Sequence, residues 1–281
     1  AVGMAMAESH LAAQYNKPGF NIMDHYTYAI AGDGDLMEGI SHESASLAGH
    51  LKLGKLIVLY DDNSVSLDGP TDMAFTDDTP KRFEAYNWQV LHVANGNDPA
   101  EINAAIETAK QTADQPTLID VKTTIGFGAP NAGTNSVHGK PLGDENMAAT
   151  REKLGWDYKP FDIPDDVRQN FDTTVKQRGI VSEAQWQTLF DDYSGEYPEL
   201  AAQFLQSFKP VSCDLKIPIS HVGESESGRN TSQRIIGEIS EQLPSFWGGS
   251  ADLFSSNKTN VKTANAYEPA DRLGKNVGVR S

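Results

Sequence analysis

Cysteine is nearly absent from this chain: Cys213 is the only one in 281 residues. A single thiol excludes an internal disulfide framework and fits a reducing compartment, so a cytoplasmic setting is expected. Cys213 itself reads as a small linker residue. Basic residues are few, 23 Lys and Arg against 39 Asp and Glu, giving a formal net charge of −16. Nucleic acid and anionic membrane surfaces would repel such a chain, and neither is expected as a partner. No apolar run reaches the roughly 18 residues of a membrane-spanning helix. The opening Ala1 to Ala7 lacks a basic leader and a cleavage pattern and reads as the middle of a helix. The common nucleotide motifs are missing too. No Gly-Lys-Ser/Thr follows four spacers, and Gly34 runs into Asp35, Leu36 and Met37 where a dinucleotide fingerprint needs a third glycine.

What is present is a regular alternation of strand-like and helix-like segments, with 38% hydrophobic residues. The expected elements are a helix to about Tyr15, strand Tyr26–Ala31, helix Leu36–Lys52 and strand Leu56–Tyr60. Helix Pro80–Tyr86, strand Gln89–Ala94, helix Pro99–Thr112 and strand Thr117–Lys122 follow. This rhythm predicts an α/β fold: a mostly parallel sheet with helices on both faces. The Gly- and Asn-rich loop from Thr123 to Gly143 is long enough to be functional. From Asp144 to about Phe208 the pattern is helical, with Trp156, Phe161, Phe171, Trp186 and Phe190 as expected anchors. Pro210 to His221 reads as a linker, and a second α/β element opens with helix Gly228–Leu243 and strand Ser245–Ser250.

The chemistry concentrates at two strand ends. Gly32-Asp33-Gly34 closes the first strand, and Asn63, thirty residues past Asp33, closes the second after Asp61 and Asp62. Alone, Gly-Asp-Gly is most often a turn. With a crossover helix between two parallel strands, both C-termini fall on one sheet edge, where open α/β sheets bind ligands. Asp33 and Asn63 are then neighbours. One carboxylate and one amide oxygen suit Mg²⁺, whose remaining positions phosphate oxygens and water fill. Gly32 and Gly34 let the backbone approach a phosphate and donate N–H groups. A metal-bound diphosphate is the implied ligand. An EF-hand register fails: counted from Asp33, Glu38 holds the sixth position and Gly39 comes one place late, and counted from Asp61 the fifth position is Val65.

The run Gly32 to Ser41, then Leu47 to Ile57, then Tyr60-Asp61-Asp62-Asn63, resembles transketolase. Further matching segments are Phe83 to Trp88, Thr123 to Gly128, Ser136-Val137-His138-Gly139 and Gly248 to Leu253. The resemblance implies thiamine diphosphate held through Mg²⁺, with Ca²⁺ or Mn²⁺ as substitutes. Asp33 and Asn63 would be metal ligands, and the Val65 carbonyl, known only from the family, a third. It implies cofactor contacts from Gly34, Asp61, Ile125, His138 and Asp252, with His138 also touching substrate and moving a proton. Glu38 is implied as a proton-relay carboxylate at a subunit interface, although offsetting a helix dipole is an equally simple role. Asp61 as a turn cap also stays open. Arg229 and Ser256 are implied to bind a substrate phosphate, for which the Arg fork is suited, while an exposed Arg is often simply solvated.

The implied reaction is transfer of a two-carbon ketol unit from a ketose phosphate to an aldose phosphate in the pentose phosphate pathway, by a homodimer whose active site lies between subunits. Other thiamine enzymes, such as dihydroxyacetone synthase or deoxyxylulose-phosphate synthase, and a non-catalytic thiamine-diphosphate-binding subunit remain alternatives. The implied domains are a diphosphate-binding domain over 1–209 with a helical extension from about 144, a linker over 210–221, and the start of a pyrimidine-binding domain over 222–281. The chain reads as cut at both ends. Ser281 stands where the family carries an acidic residue, so the activating glutamate and an upstream Gly-rich loop are expected outside it, and the chain alone is expected to be inactive.

Overall fold

A computed structural model describes residues 1–210, 215–217, 223 and 225–279. Cys213, most of the expected linker and Ser281 lie outside the described residues. Two compact units emerge, one formed by Ala1–Ala5 and Tyr26–Thr188, the other by Met6–His25 and Leu189–Ser281. Their boundaries thus run differently from the linear division at 209 and 222.

In the first unit, β1 (Thr27–Gly32), β2 (Leu56–Asp62), β3 (Gln89–Val93) and β4 (Thr117–Lys122) form one parallel sheet in the order β1-β2-β4-β3. The β1–β2 step and the β3–β4 step travel in opposite directions across the sheet. Right-handed crossovers therefore place their helices on opposite faces. Helix α5 (Pro99–Ala109) covers the face of Ile57, Ile119, Val121 and Val93 with Ile102, Ile106 and Ala109. Helices α3 (Gly39–His50) and α4 (Thr79–Ala85) lie with Leu56 and Val58 on the other face, through Ala45 and Phe83. Leu56, Ile57, Leu118 and Ile119 are fully buried, each contributing roughly 1.5–3 kcal/mol over an exposed side chain. The mostly parallel α/β architecture expected from the alternation is the one observed.

Three differences stand out. The single helix expected over Leu36–Lys52 is two, α2 (Asp33–Met37) and α3, because Glu38 adopts an extended backbone (φ −68°, ψ 136°) between them. Of the expected aromatic anchors only Phe190 is buried; Trp156, Phe161, Phe171 and Trp186 are exposed. The helical stretch itself is present as α6 (Asp144–Leu154), α7 (Asp165–Phe171), a π-helical segment at Asp172–Lys176, α8 (Gln177–Glu196) and α9 (Pro198–Ser207). The strand expected over Ser245–Ser250 runs Gly248–Ala251 (β5) and pairs in parallel with β6 (Asn276–Val279), which the pattern did not suggest.

The second unit packs the later part of α1 (Val2–Tyr15) against α8 and α9 around Tyr15, Phe190, Tyr193 and Phe204. Tyr193 satisfies its buried hydroxyl by donating to the Tyr15 carbonyl at 2.8 Å. Helix α10 (Gly228–Gln242) precedes β5, and the short α11 (Phe254–Asn257) lies between β5 and β6 in sequence. Among the described residues no helix is long and apolar enough to cross a membrane.

Candidate cation and diphosphate site

Strand β1 ends at Gly32, and Asp33 begins α2 immediately, so the Asp33 side chain sits at the C-terminal edge of the sheet. The Asp35 carboxylate reaches back to the Gly32 N–H at 2.9 Å, fixing this tight strand-to-helix turn. Asp33 is only 4% exposed, and a buried carboxylate needs donors. It has three: the Tyr60 hydroxyl to Oδ1 at 2.6 Å, and the N–H groups of Asn63 and Ser64 to Oδ2 at 3.3 and 3.0 Å.

The end of β2 is shaped to supply them. Asn63 Oδ1 accepts from the Val65 N–H at 3.0 Å, a side-chain-closed turn. Ser64 takes a left-handed backbone, φ 61°, and its N–H donates to Asp33. Asp61 accepts from Asn63 Nδ2 at 3.3 Å and from the Thr123 hydroxyl. Asp61 therefore orients the Asn63 amide and ties it to the loop after β4.

These residues open onto a pocket of about 520 Å³ lined by Gly32, Asp33, Gly34, Asp35, Glu38, Asp61, Asn63, Val65, Ile125 and His138, among others. Every first-unit residue singled out in the sequence is thus brought together. Four of the liners are carboxylates, and no Lys or Arg is among the described residues lining it. A diphosphate can enter such a pocket only with a cation that reverses the local field. Gly34 is exposed, and a Cβ built on it meets nothing within 4 Å. Its backbone is therefore accessible from the pocket side of α2. His138 Nδ1 is buried without a hydrogen-bond partner, a donor or acceptor waiting for one. This donor set fits a hard cation carrying a diphosphate. Among the described residues no group of three or more His, Cys, Asp or Glu is arranged around a metal; one carboxylate, one amide oxygen and a backbone carbonyl is a different kind of site.

Glu38 lies on the pocket rim, exposed in the single chain. Asp252, Arg229 and Ser256 belong to the second unit, are exposed, and include one contact, Arg229 Nη1 to the Ser256 carbonyl at 3.4 Å.

Three supporting side chains were not singled out from sequence. Tyr60 reads as strand core because it continues an apolar run, yet burial and its bond to the Asp33 carboxylate, with the charges of Asp33 and Asp62, push its phenol far above the usual tyrosine range. Thr123 opens a matching segment, but nothing in its sequence position marks it as the partner of Asp61. Arg82 donates to the Leu36 carbonyl and to Asp77, both at 3.1 Å, and so ties α4 to the end of α2.

Fold and pocket together define an α/β protein with an acidic pocket at the C-terminal sheet edge whose donor set fits a cation and a diphosphate. Comparison with known proteins makes this specific. The family model described as transketolase, thiamine diphosphate binding domain, matches residues 1–210. A transketolase of Streptococcus pyogenes is 53% identical over 282 residues, covering 100% of this chain and 39% of that protein. One of Bacillus subtilis is 50% identical, with 100% and 43% covered. Among solved structures, transketolase from Leishmania mexicana superposes with a TM-score of 0.91 at 38% identity, covering 99% of this chain and 42% of that one. A Pichia stipitis transketolase in complex with sedoheptulose 7-phosphate gives the same score and coverage. The chain belongs to the transketolase family. It spans about two-fifths of the length of the curated relatives it matches.

Proposed function

We propose that this chain provides the thiamine-diphosphate site of a transketolase, which transfers a two-carbon ketol unit from a ketose phosphate to an aldose phosphate in the pentose phosphate pathway. The observation that carries the reading is the convergence of Asp33, Asn63, Val65, Gly34, Ile125 and His138 on one acidic pocket.

On this reading Asp33, the Asn63 amide oxygen and the Val65 carbonyl hold Mg²⁺, for which Ca²⁺ or Mn²⁺ can substitute. When bound, the cofactor supplies the electron sink that carbon–carbon bond cleavage needs. The chain's own residues bind and orient. The Gly34 N–H meets the diphosphate, Ile125 packs beside the cofactor ring, and Asp61 holds the Asn63 amide in the orientation that leaves its oxygen for the metal. His138 donates through Nδ1 to a diphosphate or substrate oxygen and moves a proton there. Glu38, on the rim, is the relay carboxylate at a homodimer interface. Arg229 and Ser256 take the sugar's terminal phosphate, and Asp252 approaches the cofactor of the partner subunit. A cytoplasmic homodimer acting on sugar phosphates completes the reading, with residues 1–209, 210–221 and 222–281 as its diphosphate-binding domain, linker and opening of the pyrimidine-binding domain.

The test is calorimetric titration of the full-length protein with thiamine diphosphate, with and without Mg²⁺, for wild type, Asp33→Ala and Asn63→Ala. Metal-dependent binding that both substitutions abolish is the expected result. Equal binding by all three proteins would overturn the site.

A further inference from the structure

Asp33 cannot orient itself. It starts a helix of five residues directly after a strand, and a carboxylate at that position has rotamers directed toward the sheet, toward the pocket or along the helix. The side chain that selects among them, together with the Asn63 and Ser64 N–H groups, is Tyr60, which is 3% exposed and reaches Asp33 from the second strand. Tyr60 faces the same side of the sheet as Val58 and Asp62, two residues to either side, because side chains alternate along a strand. A chain of contacts thus runs from β2 through the Tyr60 hydroxyl to the carboxylate that opens α2.

Counting donors shows what this chain accomplishes. An ionised carboxylate offers about four lone-pair sites. Three are taken, one on Oδ1 by Tyr60 and two on Oδ2 by the backbone of Asn63 and Ser64. One acceptor site is left, and it is on Oδ1, the oxygen Tyr60 holds. The backbone donors hold Oδ2 and the phenol holds Oδ1, so Tyr60 is the one side chain that acts directly on the oxygen bearing the remaining lone pair.

We propose that Tyr60 is a positioning residue for the cation site: its hydroxyl helps fix the Asp33 carboxylate so that the Oδ1 lone pair left over faces the pocket shared with Asn63. This inference rests on the cation and diphosphate reading given above. Hydrogen bonds that orient a ligating side chain are typically worth about 10–100-fold in metal affinity.

The experiment is Mn²⁺ affinity of the full-length protein in saturating thiamine diphosphate, read as free Mn²⁺ by electron paramagnetic resonance, well below the unfolding temperature of every variant. Tyr60→Phe removes only the hydroxyl and is expected to weaken Mn²⁺ binding about 10–100-fold. Trp88→Phe serves as a control: it removes the buried bond from Nε1 to the Ala45 carbonyl in the same unit, lowers the unfolding temperature, and is expected to leave Mn²⁺ affinity unchanged. A purely structural tyrosine would behave like this control, so wild-type affinity in Tyr60→Phe overturns the proposal. Should Tyr60→Phe fail to fold, Tyr60→Met, which also lacks the hydroxyl, decides, with reduced affinity supporting the proposal and wild-type affinity overturning it. If wild type itself shows no diphosphate-dependent Mn²⁺ binding, the cofactor reading falls and the role of Tyr60 falls with it.

Discussion

The backbone N–H of Ser64 donates to Oδ2 of Asp33 at 3.0 Å across thirty-one residues of sequence. The ends of β1 and β2 are thereby joined, and Ser64, which donates this bond, itself occupies the left-handed region, φ 61°. A non-glycine residue pays for that conformation, and such strain gathers where a site must be held in one shape.

Substitutions at Ser64 should separate backbone from side chain. Ser64→Gly keeps the conformation without steric cost and is expected to unfold in urea within about 0.5 kcal/mol of wild type. A β-branched side chain at positive φ is far less tolerated, so Ser64→Val is expected to lose about 1–3 kcal/mol and to weaken cation binding with it. Equal stability of the Val and Gly variants would show that the turn is not under the constraint described.

Gly49 gives a prediction whose sign is informative. Alanine normally improves a helix interior by about 1 kcal/mol over glycine. Here a Cβ would stand 1.7 Å from the Tyr86 carbonyl oxygen and 3.3 Å from Trp88 Cδ1, so α3 would be driven from the segment after α4. Gly49→Ala should therefore destabilise by about 1–3 kcal/mol or more, measured by thermal or urea unfolding. Any stabilisation would mean that the close approach is absent.

Much of this arrangement is written in local pattern. Parallel strands buried on both faces read as near-continuous apolar runs, which is why Leu56–Tyr60 and Thr117–Lys122 stood out, and why Asp33 and Asn63 could be placed on one edge before any coordinates. What local pattern cannot carry is tertiary partnership. Tyr60 looks like one more core residue of β2 until Asp33 is seen above it. The break at Glu38 is a single extended residue inside helix-forming sequence. The aromatics of the helical stretch were expected inside because apolar spacing reports that a face is apolar, not what covers it; Phe161 in the single chain is fully exposed. Strand β6, four residues with a glycine, is too short to announce itself.

Asp120 makes stability depend on pH. Its side chain is 3% exposed on the central strand β4, with His92 Nδ1 at 3.0 Å from Oδ2 and Lys122 Nζ at 3.6 Å from Oδ1. Burial raises its pKa above the ordinary 3.8 and outweighs the lowering by His92 and Lys122. A carboxyl whose folded pKa is raised stabilises fully below the unfolded value, and that contribution is lost as pH climbs through the folded one. Asp120→Asn does not titrate. The stability of wild type relative to Asp120→Asn is therefore expected to fall as pH rises from below 3.8, then level off, in paired urea titrations. A relative stability that instead rises over that interval would mean the His92 and Lys122 contacts dominate.

Arg229 tests the substrate half of the reading independently of the metal. Its side chain is exposed, and its one described polar contact, the Ser256 carbonyl at 3.4 Å, is long. Removing it should leave folding within about 0.5 kcal/mol of wild type. A charge-assisted bond to phosphate contributes about 1.5–3 kcal/mol, which is about 10–100-fold in binding. Arg229→Ala in the full-length protein is therefore expected to raise KM for phosphorylated sugars by about that factor, to leave turnover of unphosphorylated analogues as it is, and to leave Mg²⁺-dependent cofactor binding untouched. A KM that rises equally for both classes of sugar would place Arg229 outside the phosphate site, and an unchanged KM for both would leave its guanidinium a solvated surface group, with Asp33 and Asn63 still holding the cation.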